Sequence, residues 1–197
     1  MDLLSLDNVH GGSSDREYLR QKAKACSNEW RKGSIMDKKI TFEDFIAVVS
    51  EENQDFVRKL HNRLLELGCR IEIKSAKSGY MVSYLYNKKT IANYVFRKKG
   101  MLVRIYGVHV NDYENILETL PDEMVHAIQT APVCKRLIDP NDCNPRCSKG
   151  YDFWLKGEHY QKCRNGAFMF LVCPQNHPFI QSLILKEAEA WERSGLN

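Results

Sequence analysis

Four of the seven cysteines in this 197-residue chain, Cys134, Cys143, Cys147 and Cys163, cluster in its last third. Thiolates are soft ligands, and four of them can close a tetrahedral zinc site. The Pro-bearing turn Cys143-Asn-Pro-Arg-Cys147 can bring two onto one ion, with Cys163 in a following hairpin and Cys134 ahead of the loop. The spacing C-x8-C-x3-C-x15-C lacks the paired C-x2-C of zinc fingers, so the competing reading is a set of small buried thiols. Cys173-Pro-Gln-Asn-His177 offers a second C-x3-H pairing, and His159 an additional imidazole. An odd number of cysteines fits reduced thiols and metal ligands better than a closed disulfide set, and zinc is the cofactor such a cysteine site would take.

A second chemistry lies in charge. Residues 73 to 111 hold eight cations, Lys74, Lys77, Lys88, Lys89, Arg97, Lys98, Lys99 and Arg104, and no Asp or Glu. The whole chain carries only +4, so removing these eight leaves the rest at −4. Tyr84, Tyr94 and Tyr106 lie among the cations, with Tyr80, Tyr86 and Phe96. Cations interleaved with aromatic rings on a sheet can pair phosphates and stack bases, which makes a nucleic acid or nucleotide the expected partner. The alternative is a solvated face, with Lys at hairpin tips and strand edges opposing aggregation.

Enzymatic readings have less to stand on. Glu72-Ile-Lys74 matches the E-x-K element of metal-dependent nucleases, but helix rather than an acid-bearing strand precedes it. A Cys163–His159 nucleophile pair needs an orienting third group that spacing does not supply. No phosphate-cradling G-x-x-x-x-G-K-[ST], dinucleotide-type G-x-G-x-x-G or G-x-S-x-G nucleophile turn occurs. A non-catalytic binding protein, regulatory in setting, is the resulting expectation, with a zinc-stabilised sensing or interaction module as the alternative.

The elements that must position these groups read as an α+β chain. Thr41 caps a short helix over 42–49, and a longer one follows over 52–67, with Phe56, Leu60, Leu64 and Leu67 on one face and Gly68 at its end. His61 sits beside that stripe as a partly exposed helical residue. Strand signals then span 69–75, 80–86, 90–97 and 101–107, joined by short Gly- or Asn-bearing turns, and predict a four-stranded antiparallel meander. In the first strand Cys69, Ile71 and Ile73 alternate with Arg70, Glu72 and Lys74, so one sheet face should be wet. Helices are expected over 112–120 and from Pro121 to Thr130, then an irregular cysteine-bearing segment over 131–150. Strands at 151–155, 159–163 and 167–173 and a closing helix over 178–191 complete the pattern. The order Gly-Tyr hairpin, strand, helix occurs twice, consistent with two diverged ββ-β-α units whose sheets flank a cleft.

Residues 1–35 read as a polar tail plus one amphipathic helix over 15–32. Ser14-Asp-Arg-Glu17 forms a capping box, and Leu19, Ala23, Cys26 and Trp30 make a narrow apolar stripe suited to a second copy or a partner. Arg31-Lys-Gly-Ser34 back-translates into a purine-rich ribosome-binding stretch ahead of Met36, an alternative first residue, whereas the well-formed caps speak for the longer chain. Residues 36–197 are expected to form one domain. The start lacks a basic n-region and apolar h-region, and no apolar run approaches the roughly 20 residues of a bilayer helix, so a cytoplasmic location is expected.

Two resemblances accompany these motifs. The stretch from Cys134 through Cys143-Asn-Pro-Arg-Cys147, Gly150-Tyr-Asp-Phe153 and Tyr160-Gln-Lys-Cys163-Arg164 resembles small proteins of Firmicutes, clostridia especially, that carry no assigned activity. Residues 52–120 are similar to the small α+β domains of the TfoX and YjbR type. That similarity implies a regulatory or DNA-associated setting and transfers no functional residues, because those domains lack the cysteine segment.

Overall fold

A reciprocal cap starts the first helix. The Thr41 hydroxyl accepts from the Asp44 N–H at 3.2 Å, and the Asp44 carboxylate accepts from the Thr41 N–H at 2.8 Å. Two orphan donors of helix α1 (Phe42–Ile46) are thereby satisfied, and Phe45 and Ile46 turn into the core. Helix α2 (Glu51–Glu66) buries Phe56, Leu60 and Leu64 at the expected spacing, together with Val57, Asn53 and His61, while Leu67 is only partly buried. Gly68, at φ +80°, ends it in a Schellman motif, with Cys69 N–H donating to the Leu64 carbonyl at 2.9 Å.

The structure is a computed structural model that describes residues 40–195, within the compact unit Ile40–Asn197. The helix expected over 15–32 lies outside the described residues.

Four strands follow, β1 (Arg70–Ala76), β2 (Gly79–Tyr86), β3 (Lys89–Arg97) and β4 (Gly100–Ile105), in the expected antiparallel meander. A bulge shifts the β2–β3 register between Tyr84 and Leu85, leaving Ile91 as an extra residue on β3. After β4 the helical signal over 112–120 is shorter than expected: a 3-10 turn (Val110–Tyr113) leads into one turn of helix α3 (Glu114–Leu117). Helix α4 (Asp122–Thr130) comes next, and a single turn, α5 (Lys135–Ile138), interrupts the otherwise irregular segment over 131–150. Strands β5 (Tyr151–Leu155) and β6 (Glu158–Lys162) form a separate hairpin.

Strand β7 (Met169–Leu171) leaves that hairpin and pairs with β4, so the sheet order is β1-β2-β3-β4-β7. The second strand group therefore builds no three-stranded sheet of its own beside the first, because Phe170 is drawn into the main core opposite Val103. Helix α6 (His177–Ser194) closes the chain, packing on α2 and touching β3 and β4. The fold is α+β, with one mainly meandering antiparallel sheet flanked by helices. No described helix is long and apolar enough to cross a membrane.

Candidate functional site

Antiparallel geometry decides where the basic run goes. Successive turns of a meander fall at opposite ends of the sheet. Lys77, in the β1–β2 turn, shares one end with Arg97, Lys98 and Lys99 around the β3–β4 turn, and the Ser78 hydroxyl donates to the Phe96 carbonyl at 2.9 Å to tie the two turns together. Lys88 and Lys89 lie at the other end, with Arg70. There a cavity of about 430 Å³ is lined by Gly68, Arg70, Asn87 and Lys88. Lys74 pairs with Glu72 at 3.1 Å, and it is the only one of the eight in an ion pair among the described residues. Six of the eight thus fall at the two ends of the sheet, while Lys74 and Arg104 lie between them along β1 and β4.

The faces of the sheet divide the tyrosines. Register places Ile73, Val82, Tyr94 and Val103 in one row, and Ile71, Tyr84, Ala92 and Ile105 in the next, against helices α1 and α2. Phe45 stacks on Tyr94 at 5.7 Å between ring centroids, and His61 Nδ1 lies 3.1 Å from the Tyr84 hydroxyl. Tyr84 and Tyr94 are each 1 % exposed, so neither can present a ring to a ligand. Those two expected ligand residues are core residues, sent inward by strand parity, and burial pushes both phenols far up. His61 is likewise buried rather than partly exposed, stacked on Phe42 at 3.7 Å, and burial lowers its pKa.

The opposite face keeps the wet character expected of it at its edges. Its rows carry Glu72, Ser83, Asn93, Arg104 and Met169, and then Lys74, Met81, Val95, Leu102 and Leu171. Toward the middle, Asn93 and Val95 are buried. Asn93 Nδ2 donates to the Tyr106 hydroxyl at 3.3 Å, while its Oδ1 is buried with no hydrogen-bond partner. The Arg164 guanidinium lies over the Tyr106 ring, 5.2 Å from its centroid, and Arg104 Nε donates to the Asn165 carbonyl at 2.9 Å. Two guanidinium groups thus flank a half-exposed Tyr and an unsatisfied amide. Sequence reading had Arg104 and Tyr106 but not Asn93 or Arg164, which come from a central strand and a loop 71 residues further on. The basic character of Arg164, next to Cys163, was the only local signal for it.

The cysteine segment is anchored on one side only. Cys134 N–H donates to the Gln161 carbonyl at 3.0 Å and Cys163 N–H to the Pro132 carbonyl at 2.7 Å, around a Val133–Lys162 bridge. Lys162 is itself buried, its ammonium donating to the carbonyls of Gln129 at 2.5 Å and Ala131 at 3.0 Å, which otherwise end α4 unpartnered. Gly150 N–H donates to Cys134 Sγ at 3.2 Å. Cys134 is buried, Cys147 and Cys163 half-buried and Cys143 exposed. Among the described residues, no three His, Cys, Asp or Glu side chains as they stand form a group able to hold a metal ion. His159 is engaged by Asp152, and His177 by Asn53 at 2.7 Å and by the Phe56 ring, so both imidazoles have structural partners.

A third constellation escaped sequence reading altogether. The Glu187 carboxylate is fully buried and accepts from the His109 N–H at 3.1 Å and the Tyr113 hydroxyl at 2.8 Å. His109 Nδ1 lies 2.9 Å from its other oxygen. The arrangement resembles a base-orienting dyad, but its first consequence is structural, since the buried Tyr113 and the partly buried His109 together satisfy the carboxylate.

No family model, curated protein or solved structure matches the chain.

Proposed function

We propose that this chain is a non-catalytic binding protein that takes an anionic partner, a nucleic acid or a nucleotide, on the outer sheet face and the adjoining turns. The observation that carries the reading is the patch formed by Arg104, Tyr106 and Arg164 on that face. Guanidinium groups bind phosphate bidentately, and their planes stack on bases as they stack here on tyrosine. Lys77, Lys98 and Lys99 at one end, and Lys88 with Arg70 at the other, extend positive charge beyond the patch.

Fluorescence anisotropy with a labelled single-stranded oligonucleotide tests the reading. Affinity is expected to fall linearly on a log–log salt plot, with a slope of about −0.7 for each phosphate neutralised. Arg104→Ala and Arg164→Ala should each weaken binding and make that slope shallower. Absent binding, or binding indifferent to salt, overturns the reading.

A further inference from the structure

We propose that Cys134, Cys143, Cys147 and Cys163 bind one zinc ion, which closes the 131–150 segment onto the β5–β6 hairpin. The inference is independent of the anion-binding reading.

Backbone pairing already places two ligands. In the short antiparallel ladder around Val133 and Lys162, Cys134 lies opposite Gln161 and Cys163 opposite Pro132. A two-residue offset of this kind puts both thiols on one face as diagonal neighbours, within roughly 7–8 Å. The other two arrive through Gly150, the residue preceding β5. A Cβ there would lie 2.1 Å from the Lys162 carbonyl and 2.7 Å from Cys134 Cβ, so only glycine lets the chain pass close enough for its N–H to reach Cys134 sulfur. Cys147 precedes Gly150 by three residues and Cys143 precedes Cys147 by four.

A dication deprotonates a coordinating thiol outright. The Gly150 N–H toward Cys134 sulfur is the kind of outer contact that supports a bound thiolate.

The segment also lacks another anchor. Helix α5 buries no residue, Ile138 is 69 % exposed, and Arg136 holds the loop through the carbonyls of Pro140, Pro145 and Cys147 rather than through apolar packing. Rotation of Cys143 and Cys147 on this exposed turn completes the ligand set, and ligand closure coupled to folding is usual for structural zinc. Four thiolates leave no open coordination position, so the ion is structural rather than catalytic.

The test is metal analysis of the full chain purified with reductant and without chelator. About one zinc per chain is expected, with a thermal midpoint lowered by roughly 10 °C or more on chelation. Cys143→Ser and Cys147→Ser should each lose the metal, and Cys173→Ser should keep it. Cobalt reconstitution of the unsubstituted chain, which needs no variant to fold, should give tetrahedral bands with thiolate-to-cobalt charge transfer. Zinc below about a tenth of an equivalent with an unchanged midpoint overturns the proposal, as do cobalt binding without thiolate bands, iron in place of zinc, or a disulfide joining any two of the four.

Discussion

Glu187 grips His109 twice: one carboxylate oxygen accepts from the His109 backbone N–H at 3.1 Å, and the other lies 2.9 Å from ring Nδ1. An ionised Glu187 requires Nδ1 to carry the proton, which fixes the tautomer of a ring that also meets Trp191 edge-on at 4.8 Å. With the Tyr113 hydroxyl as a further donor, the carboxylate pins the loop after β4 to α6. A charge removed from water is tolerable only with such a complement of partners.

Removing the carboxylate should therefore be costly. Glu187→Ala strands buried donors and is expected to destabilise the fold by about 3 to 5 kcal/mol, against about 1 kcal/mol for Tyr113→Phe. Urea unfolding of both variants measures the contrast. A loss below about 1 kcal/mol for Glu187→Ala would show that the network does not hold the helix.

The tyrosines should separate stability from binding. Tyr84→Phe removes the hydroxyl beside His61, costing about 1 kcal/mol and leaving oligonucleotide affinity unchanged. Tyr106→Ala should weaken oligonucleotide binding by roughly 1 to 3 kcal/mol, the worth of one stacked base, while Tyr106→Phe keeps most of it. Equal binding losses at positions 84 and 106 would contradict the assignment of the two faces.

Two histidines set a pH dependence. Burial lowers the pKa of both His61 and His177 below the ordinary value of 6.5. On acidification the unfolded chain takes up these protons before the folded one does. The contribution is thus complete above about pH 6.5 and is lost as pH falls through that value toward the folded-state pKa values. Thermal midpoints between pH 7.5 and 5.0 should decline less steeply in the doubly substituted His61→Gln, His177→Gln chain than in the parent. Parallel curves would exclude these two groups as the cause.

Glycine positions provide a steric control. Gly150→Ala forces Cβ against the Lys162 carbonyl, and the backbone there cannot yield without breaking the Val133–Lys162 bridge. Gly157 sits at φ +75° with nothing within 4 Å of an added Cβ, so alanine there meets only backbone strain of about 1 to 2 kcal/mol. Gly150→Ala should be the more damaging by denaturant titration, and the reverse order would refute the close approach.

Much of this fold could be read from the chain. Period-two alternation between Gly- and Asn-bearing turns located β1 to β4 to within two residues, and Gly68 marked the end of α2. Alternation assigns residues to two faces without saying which face the helices cover, and on that point Tyr84 and Tyr94 were misplaced. Asn93 drew no notice because a polar residue in mid-strand signals an outer position, not an unsatisfied acceptor. The His109–Glu187 contact joins residues 78 positions apart and leaves no local pattern. The departure of β7 from its hairpin follows from what Phe170 packs against, which no window of sequence contains. Clustering in the last third nominates the four cysteines, yet among the described residues no three His, Cys, Asp or Glu side chains as they stand form a group able to hold a metal ion.

The turns of the meander leave six of the cations at two poles, about 20 to 25 Å apart along strands of 7 to 9 residues in β1 to β3. A mononucleotide can touch one pole or the central arginines, but not both ends. A continuous polyanion laid parallel to the strands can reach both poles and the central arginines. On the proposed anion-binding reading, affinity should rise in a step once an oligomer is long enough to bridge the poles, and plateau beyond it.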